Sequence, residues 1–181
     1  MQRTPKIIAT ELLVLQAKSG DKAAFAELYR LWMPVLYGRC LRQLKQPADA
    51  QDAVQKVWIK VIKGIGQLKN PATFIAWIMR ICHLTCVDAI RKQIRRGKMQ
   101  QNLQNEIPVT KPEADTAIDL TSAIKQLPEN QRQVLDLHYS LGFSISQIAH
   151  VVGVKSGTVK SRLYTARQTL KTKLQTGENY E

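Results

Sequence analysis

Acidic residues are scarce in this chain of 181 residues. Fourteen Asp and Glu stand against 27 Lys and Arg, a formal charge of +13. That imbalance argues against a cationic partner and for an anionic one. Nucleic acid is the first candidate and a membrane surface the second. The few acids are scattered, so the paired carboxylates with His that a nucleic-acid-modifying enzyme would need are missing, and so is a phosphate-cradling glycine loop. No catalytic chemistry is expected of the chain itself. His83, His138 and His150 have no metal-ligand spacing. Cysteines number three, an odd count without framework spacing, which excludes a disulfide-stapled scaffold and fits a reducing, cytosolic setting. Cys82 and Cys86 lie one helical turn apart and, with His83, could reach one ion. A fourth ligand is not evident, so neither metal nor cofactor is expected. No apolar run approaches the length of a membrane span. Glu11 interrupts the stretch ATELLVLQA and Lys18 closes it, so no secretory signal and no membrane insertion are expected.

What is present is helical. Hydrophobic residues make up 44% of the chain, enough for a real core. Strand alternation is absent, and apolar residues recur three and four apart. Leu12 and Leu15 precede a break at Ser19-Gly20-Asp21, where Ser19 or Asp21 can cap a helix bearing Phe25, Leu28, Tyr29 and Trp32. Pro34 is expected to kink or restart that helix. Pro47 opens the next, striped by Ala50, Ala53, Val54, Val57, Trp58, Val61 and Ile62 and ended by Gly64 and Gly66. Asn70-Pro71 starts another, from Phe74 to Ile94. Trp58 and Trp77 read as core within these stripes. At Gly97 the composition turns to Gln, Asn and Pro without periodicity, the mark of a flexible tether. Helical pattern returns near Thr116, with Pro128 placed as the first residue of a helix that Gly142 ends. The expected architecture is therefore all-α: a helical domain at 1–96, a flexible linker at 97–116, a second helical domain at 117–176 and a polar tail at 177–181.

The stretch ISQIAHVVGVKSGTVKSRL, Ile145 to Leu163, has the form of a helix-turn-helix. Ile148, Ala149 and Val152 share a face, Gly153 supplies a left-handed turn, and Ser156 can cap the second helix. Val159, Leu163, Ala166, Leu170 and Leu174 form the packing stripe of that second helix. From Phe143 to Leu174 there are six Lys or Arg and no acid. Such a helix can pack by one side and meet duplex DNA with the other. The alternative is a solvated basic helix in an ordinary bundle.

Two blocks together resemble the extracytoplasmic-function (group 4) sigma factors of bacteria. One is DAQDAVQKVWIKV, Asp49 to Val61, followed by FIAWIMRICHLTCVDAIRK, Phe74 to Lys92. The other is LPENQRQVLDLHYSLGFSISQIAHVVGVKSGTVKSRL, Leu127 to Leu163. The resemblance implies a region 2-like bundle and a region 4-like helix-turn-helix domain. It also implies partners: core RNA polymerase through its β′ clamp helices, promoter DNA, and an anti-sigma factor. The implied setting is the cytoplasm, either free or held at the inner membrane face by that anti-sigma factor.

The resemblance assigns Asp49, Asp52, Val54 and Gln55 to polymerase binding; carboxylates and an amide three apart share a helical face, which could equally be a solvated one. The family's usual Glu positions hold Gln51 and Lys56 here, so charge on that face is reduced. For the −10 element the candidates are Arg80, His83, Arg91, Lys92, Arg95 and Arg96, with Asp88 orienting a nearby Arg. His83 and Leu84 replace a usual Arg-Asn pair. Leu84 cannot hydrogen-bond an extruded base, which implies altered −10 preference or a larger reading role for the loop from Gly64 to Asn70. For the −35 element the candidates are Arg132, Lys155, Ser156, Thr158, Lys160, Ser161, Arg162, Thr165 and Arg167. Gln147 replaces a common Glu and removes a negative charge close to DNA. The rival reading is a helix-turn-helix regulator whose N-terminal body binds a signal or dimerises.

Overall fold

A computed structural model describes residues 5–101 and 120–177, with side chains for 5–96 and 120–175. The chain divides into two compact units, Gln2–Gln104 and Asn105–Glu181. The described residues form helices joined by short turns, without a strand.

The first unit contains α1 (Pro5–Lys18), α2 (Lys22–Leu44), α3 (Pro47–Gly64) and α4 (Phe74–Gln101), with 3₁₀ turns at Ile65–Gln67 and Pro71–Thr73. Each boundary has a local cause. Asp21 caps α2 by accepting from the Ala23 and Ala24 amides at 2.8 and 3.0 Å. Pro47 is the first residue of α3, where its missing N–H costs nothing. Asn70 caps the turn leading into α4 through the Ala72 amide at 3.0 Å. Of the kink or restart expected at Pro34, the restart does not occur: α2 runs through it. Pro34 and Arg30 are exposed, so water can serve the carbonyl that the ring leaves without a helical donor.

The core forms where α2, α3 and α4 meet, around Leu28, Trp32, Leu36, Val54, Val57, Val61, Phe74, Ile78 and Met79, all buried. Trp58 packs against Phe25 and Tyr29 with ring centroids at 5.9 and 4.8 Å. α1 is tied on by polar contacts. Trp32 Nε1 donates to Thr10 Oγ1 at 3.1 Å, and Thr10 donates to the Lys6 carbonyl at 2.7 Å. Lys18 Nζ reaches the Leu68 carbonyl at 2.6 Å, fastening the loop before α4. The stretch Pro71–Arg96 is long and apolar enough to cross a membrane by length and composition. The expectation that no stretch reaches that length is corrected to this extent. Arg80, His83 and Asp88 break the apolar run in sequence, and the helix turns Phe74, Ile75, Ile78, Met79, Cys82 and Cys86 into the bundle.

The second unit contains α5 (Leu120–Lys125), α6 (Glu129–Leu135), a π-helical turn (Asp136–Ser140), α7 (Ile145–Val152) and α8 (Ser156–Gly177). Pro128 sits at the cap of α6 rather than at its first position. Its core holds Ala123, Leu127, Val134, Leu137, Phe143, Ile148, Val151, Val159, Leu163 and Ala166. α4 continues to Gln101, past the expected tether start at Gly97. The remainder of the expected linker, the tail from Glu178 and the pattern around Thr116 lie outside the described residues.

Candidate nucleic-acid interface

The helix-turn-helix is built by capping as much as by packing. Ser144 and Gln147 form a reciprocal box. The Ser144 hydroxyl accepts the Gln147 amide at 3.3 Å, and Gln147 Oε1 accepts the Ser144 amide at 2.9 Å. Gln147 thus has a local task that sequence reading missed, although Ser144 and Gln147 stand at the box's three-residue spacing. Gly142 enters the segment at φ +64 and Gly153 leaves α7 at φ +72, both in the left-handed region. His138 Nδ1–H donates to the Phe143 carbonyl at 3.0 Å, since a carbonyl can only accept. That bond, with the Phe143 amide on the Leu137 carbonyl at 3.0 Å, fixes the entry to α7. Ser156 was expected to cap α8 but is its first residue. The cap position falls to Lys155, whose carbonyl accepts the Thr158 and Val159 amides at 3.0 and 3.3 Å. Two residues after Gly153 were enough to finish the turn.

α8 packs by the expected stripe. Val159, Leu163 and Ala166 are buried, and Leu170 and Leu174 half-buried. Lys155, Ser156, Lys160, Ser161, Thr165 and Arg167 are exposed, while Thr158 and Arg162 are half-buried. Tyr164, beside them, is 62% exposed. Arg167 Nε also donates to the Leu163 carbonyl at 3.2 Å, which sets the direction of its guanidinium. Arg132 differs from the rest: it pairs with Glu129 and donates to the Lys125 carbonyl at 3.0 Å, joining α6 to the end of α5.

In the first unit, α3 turns Asp52 and Gln55 to solvent and leaves Asp49 half-buried. Asp52 pairs with Lys56 one turn on. Asp49 accepts from Gln93 of α4 at 2.7 Å. Val54 has no accessible surface, so it belongs to the core and cannot present an apolar contact to a partner. The exposed apolar side chains of α3 are Ile59 and Ile62, 50% and 60% accessible. On α4, Arg91, Lys92, Arg95 and Arg96 are exposed, and Arg80 and His83 half-buried. Asp88 lies 3.9 Å from Arg91, a loose pair between exposed partners. Leu84 is 41% exposed. Thr85, buried next to it, accepts from Lys60 Nζ at 3.2 Å. Trp58 is core, as expected. Trp77 is half-buried, its ring tilted 54° to that of Phe74 at 6.0 Å between centroids and lying against Gly64.

The fold also brings together what spacing could not. Cys40 of α2 meets Cys82 and Cys86 of α4, with Sγ–Sγ separations of 3.6 Å to each. The three sulfurs, all buried, lie within 4.8 Å of one another. Hydrogen bonding with Cys82 and Cys86, then burial, pushes the Cys40 thiol far up. The same network, led by Cys40, holds Cys82 well below the ordinary thiol range despite burial, with the charge of Arg39 assisting. For Cys86 the bond to Cys40 pulls down, but the bond to Cys82 and burial push it up to about 12.

Residues 28–96 match the family profile described as Sigma-70 region 2, and residues 117–170 that of Sigma-70, region 4. The chain is 28% identical over 180 residues to the ECF RNA polymerase sigma factor SigW of Bacillus subtilis, covering 89% of this chain and 94% of the relative. It is 31% identical over 154 residues to the ECF RNA polymerase sigma factor SigM of Mycobacterium tuberculosis, covering 84% and 78%. Among solved structures, the sigma factor RpoE of Bartonella quintana, in complex with the anti-sigma factor NepR, aligns with TM-score 0.64 at 24% identity, covering 83% of this chain and 96% of that one. CnrH, in complex with the cytosolic domain of CnrY, aligns with TM-score 0.60 at 23% identity, covering 93% and 98%. At these identities the structural likeness speaks for the fold.

Proposed function

The chain belongs to the extracytoplasmic-function sigma factors of the sigma-70 family, and from that premise we propose how its residues divide the work of initiation. It is a sigma factor: it binds core RNA polymerase and directs promoter-specific initiation. In the proposed division, α8 lies in the major groove of the −35 element. Lys155, Lys160, Arg162 and Arg167 bind phosphates and fix the register, while Ser161 and Thr165 face base edges. The observation that carries this is the basic, solvent-facing side of α8, held by a capped α7 and a left-handed Gly153. Arg132, engaged with Glu129 and Lys125, acts by holding α5 and α6 under that helix.

The first unit takes the other two tasks. Asp49, Asp52 and Gln55 offer acceptors to basic groups of the polymerase clamp, and Ile59 and Ile62 supply the apolar contact that buried Val54 cannot. Arg80, His83, Arg91, Lys92, Arg95 and Arg96 follow the backbone of the melted −10 strand. Unstacking costs a few kcal/mol per step. With Leu84 unable to hydrogen-bond an extruded base, this sigma factor tolerates few departures from its preferred −10 sequence. The chain performs no covalent chemistry of its own; bond formation belongs to the polymerase. It works in the cytoplasm, and an anti-sigma factor restrains it by covering these surfaces.

The test is run-off transcription with core polymerase on the gene's own upstream region, with and without the protein. Initiation that depends on the added chain is the expected result. No gain over core polymerase alone overturns the proposal.

A further inference from the structure

Cys40 is far in sequence from Cys82 and Cys86, yet the sulfurs of all three end at one point in the core of the first unit. Cys82 and Cys86 project from one face of α4, a turn apart, and Cys40 of α2 closes the triangle at 3.6 Å from each. A disulfide needs about 2.05 Å between sulfurs, so these are open thiols. A metal–sulfur bond of about 2.3 Å puts neighbouring sulfurs roughly 3.8 Å apart around a tetrahedral ion and about 4.0 Å apart around a trigonal one. The two edges that meet at Cys40, 3.6 Å each, need only a few tenths of an ångström of expansion for an ion of zinc's size, and somewhat more for the longer sulfur bonds of larger soft ions.

We propose that Cys40, Cys82 and Cys86 form a buried three-sulfur site for a soft, thiophilic divalent metal ion, pinning α4 to α2. Charge supports the divalent state. Three thiolates and a dication leave one negative charge in the core, and Arg39, 4% exposed on the same helix as Cys40, carries the positive charge that neutralises it. Its field already acts on Cys82 and Cys86. All three cysteines are closed to bulk solvent, and among the described residues no fourth His, Cys, Asp or Glu joins the cluster. The site therefore favours ions of the cadmium, mercury or lead kind, which accept three sulfurs, over zinc, whose structural sites are almost always four-coordinate. Binding forms three metal–sulfur bonds and releases to solvent the protons that the thiols carried. His83 follows Cys82 on α4, so the ion would sit directly beneath the helix proposed to meet the −10 strand.

The test uses the reduced full-length chain without oxygen, titrated with Cd(II) alone and separately with Zn(II). Because a sealed site loads only when α2 and α4 part, each titration is repeated on chain refolded in the presence of the ion. The expected result is a near-ultraviolet sulfur-to-cadmium band that saturates at one ion per chain, with Zn(II) displaced by Cd(II). Cys40→Ala and Cys86→Ala, with folding checked by circular dichroism, should each weaken Cd(II) binding at least about tenfold and reduce the saturated band. Native mass spectrometry of the unsubstituted chain, which needs no variant, should give a one-cadmium adduct. No band and no adduct by either loading route overturns the proposal. Equal affinity in the folded variants overturns it too.

Discussion

Lys160 is exposed on α8 and Arg162, two positions on, is half-buried. If both meet phosphates, each substitution to Ala should weaken binding of the holoenzyme to −35 duplexes of any sequence. Each should also lower the slope of log affinity against log salt by about 0.9, the value expected per phosphate contact; filter binding across salt concentrations measures both. An unchanged slope would remove that residue from the interface. Ser161→Ala should instead change which −35 sequences bind, with little effect on the slope. Gly64 shows a different dependence on a single atom. A Cβ there would meet Trp77 Cζ2 at 2.7 Å, whereas at Gly66 it would meet nothing within 4 Å. Gly64→Ala should destabilise the first unit by about 1–3 kcal/mol, the usual cost of overpacking, and Gly66→Ala by much less. Trp32, Trp58 and Trp77 are the chain's three tryptophans and all lie in the first unit, so urea unfolding followed by tryptophan fluorescence reports that unit selectively.

At the level of helices, ends carry as much information as faces. Ser144→Ala removes the box that starts α7 and should cost about 1 kcal/mol. That corresponds to roughly fivefold faster opening of the amides in its first turn, measurable by hydrogen exchange. Punctuation of this kind was legible in the sequence: Asp21, Pro47, Asn70, Gly142 and Gly153 act where residue type alone places them. So was the stripe of α8, because burial on one side of a helix leaves a period. Three features were misread or were not legible. Pro34 reads as a break, but a proline on a solvated face can remain within a helix that packing holds on its other side. Val54 was assigned to a surface by resemblance, while its own stripe with Ala50, Val57 and Val61 already pointed inward. Cys40 has no periodic relation to Cys82; only the crossing of α2 on α4 brings them together, and residue spacing holds no information about a crossing.

For the molecule as a whole, the candidate DNA contacts are split between α4 of the first unit and α8 of the second. The free chain should therefore bind promoter DNA weakly, and core polymerase should raise its apparent affinity by presenting both units to one duplex, as linked binding modules do. Gel-shift titrations with and without core polymerase measure the difference; tight, salt-resistant binding by the free chain would contradict it. Charge reversal at both Asp49 and Asp52 should abolish co-elution with core polymerase while leaving −35 binding by the second unit intact. Whether the two units move apart or together in these steps is open to direct observation because of where the thiols lie. All three native thiols are sealed in one core, so the folded chain should react negligibly with a maleimide dye until it is denatured. A cysteine introduced at exposed Tyr139, paired with one at exposed Leu12 of α1, can then be labelled without removing the native three. The protein is in effect prepared for fluorescence distance measurements, free and on the polymerase.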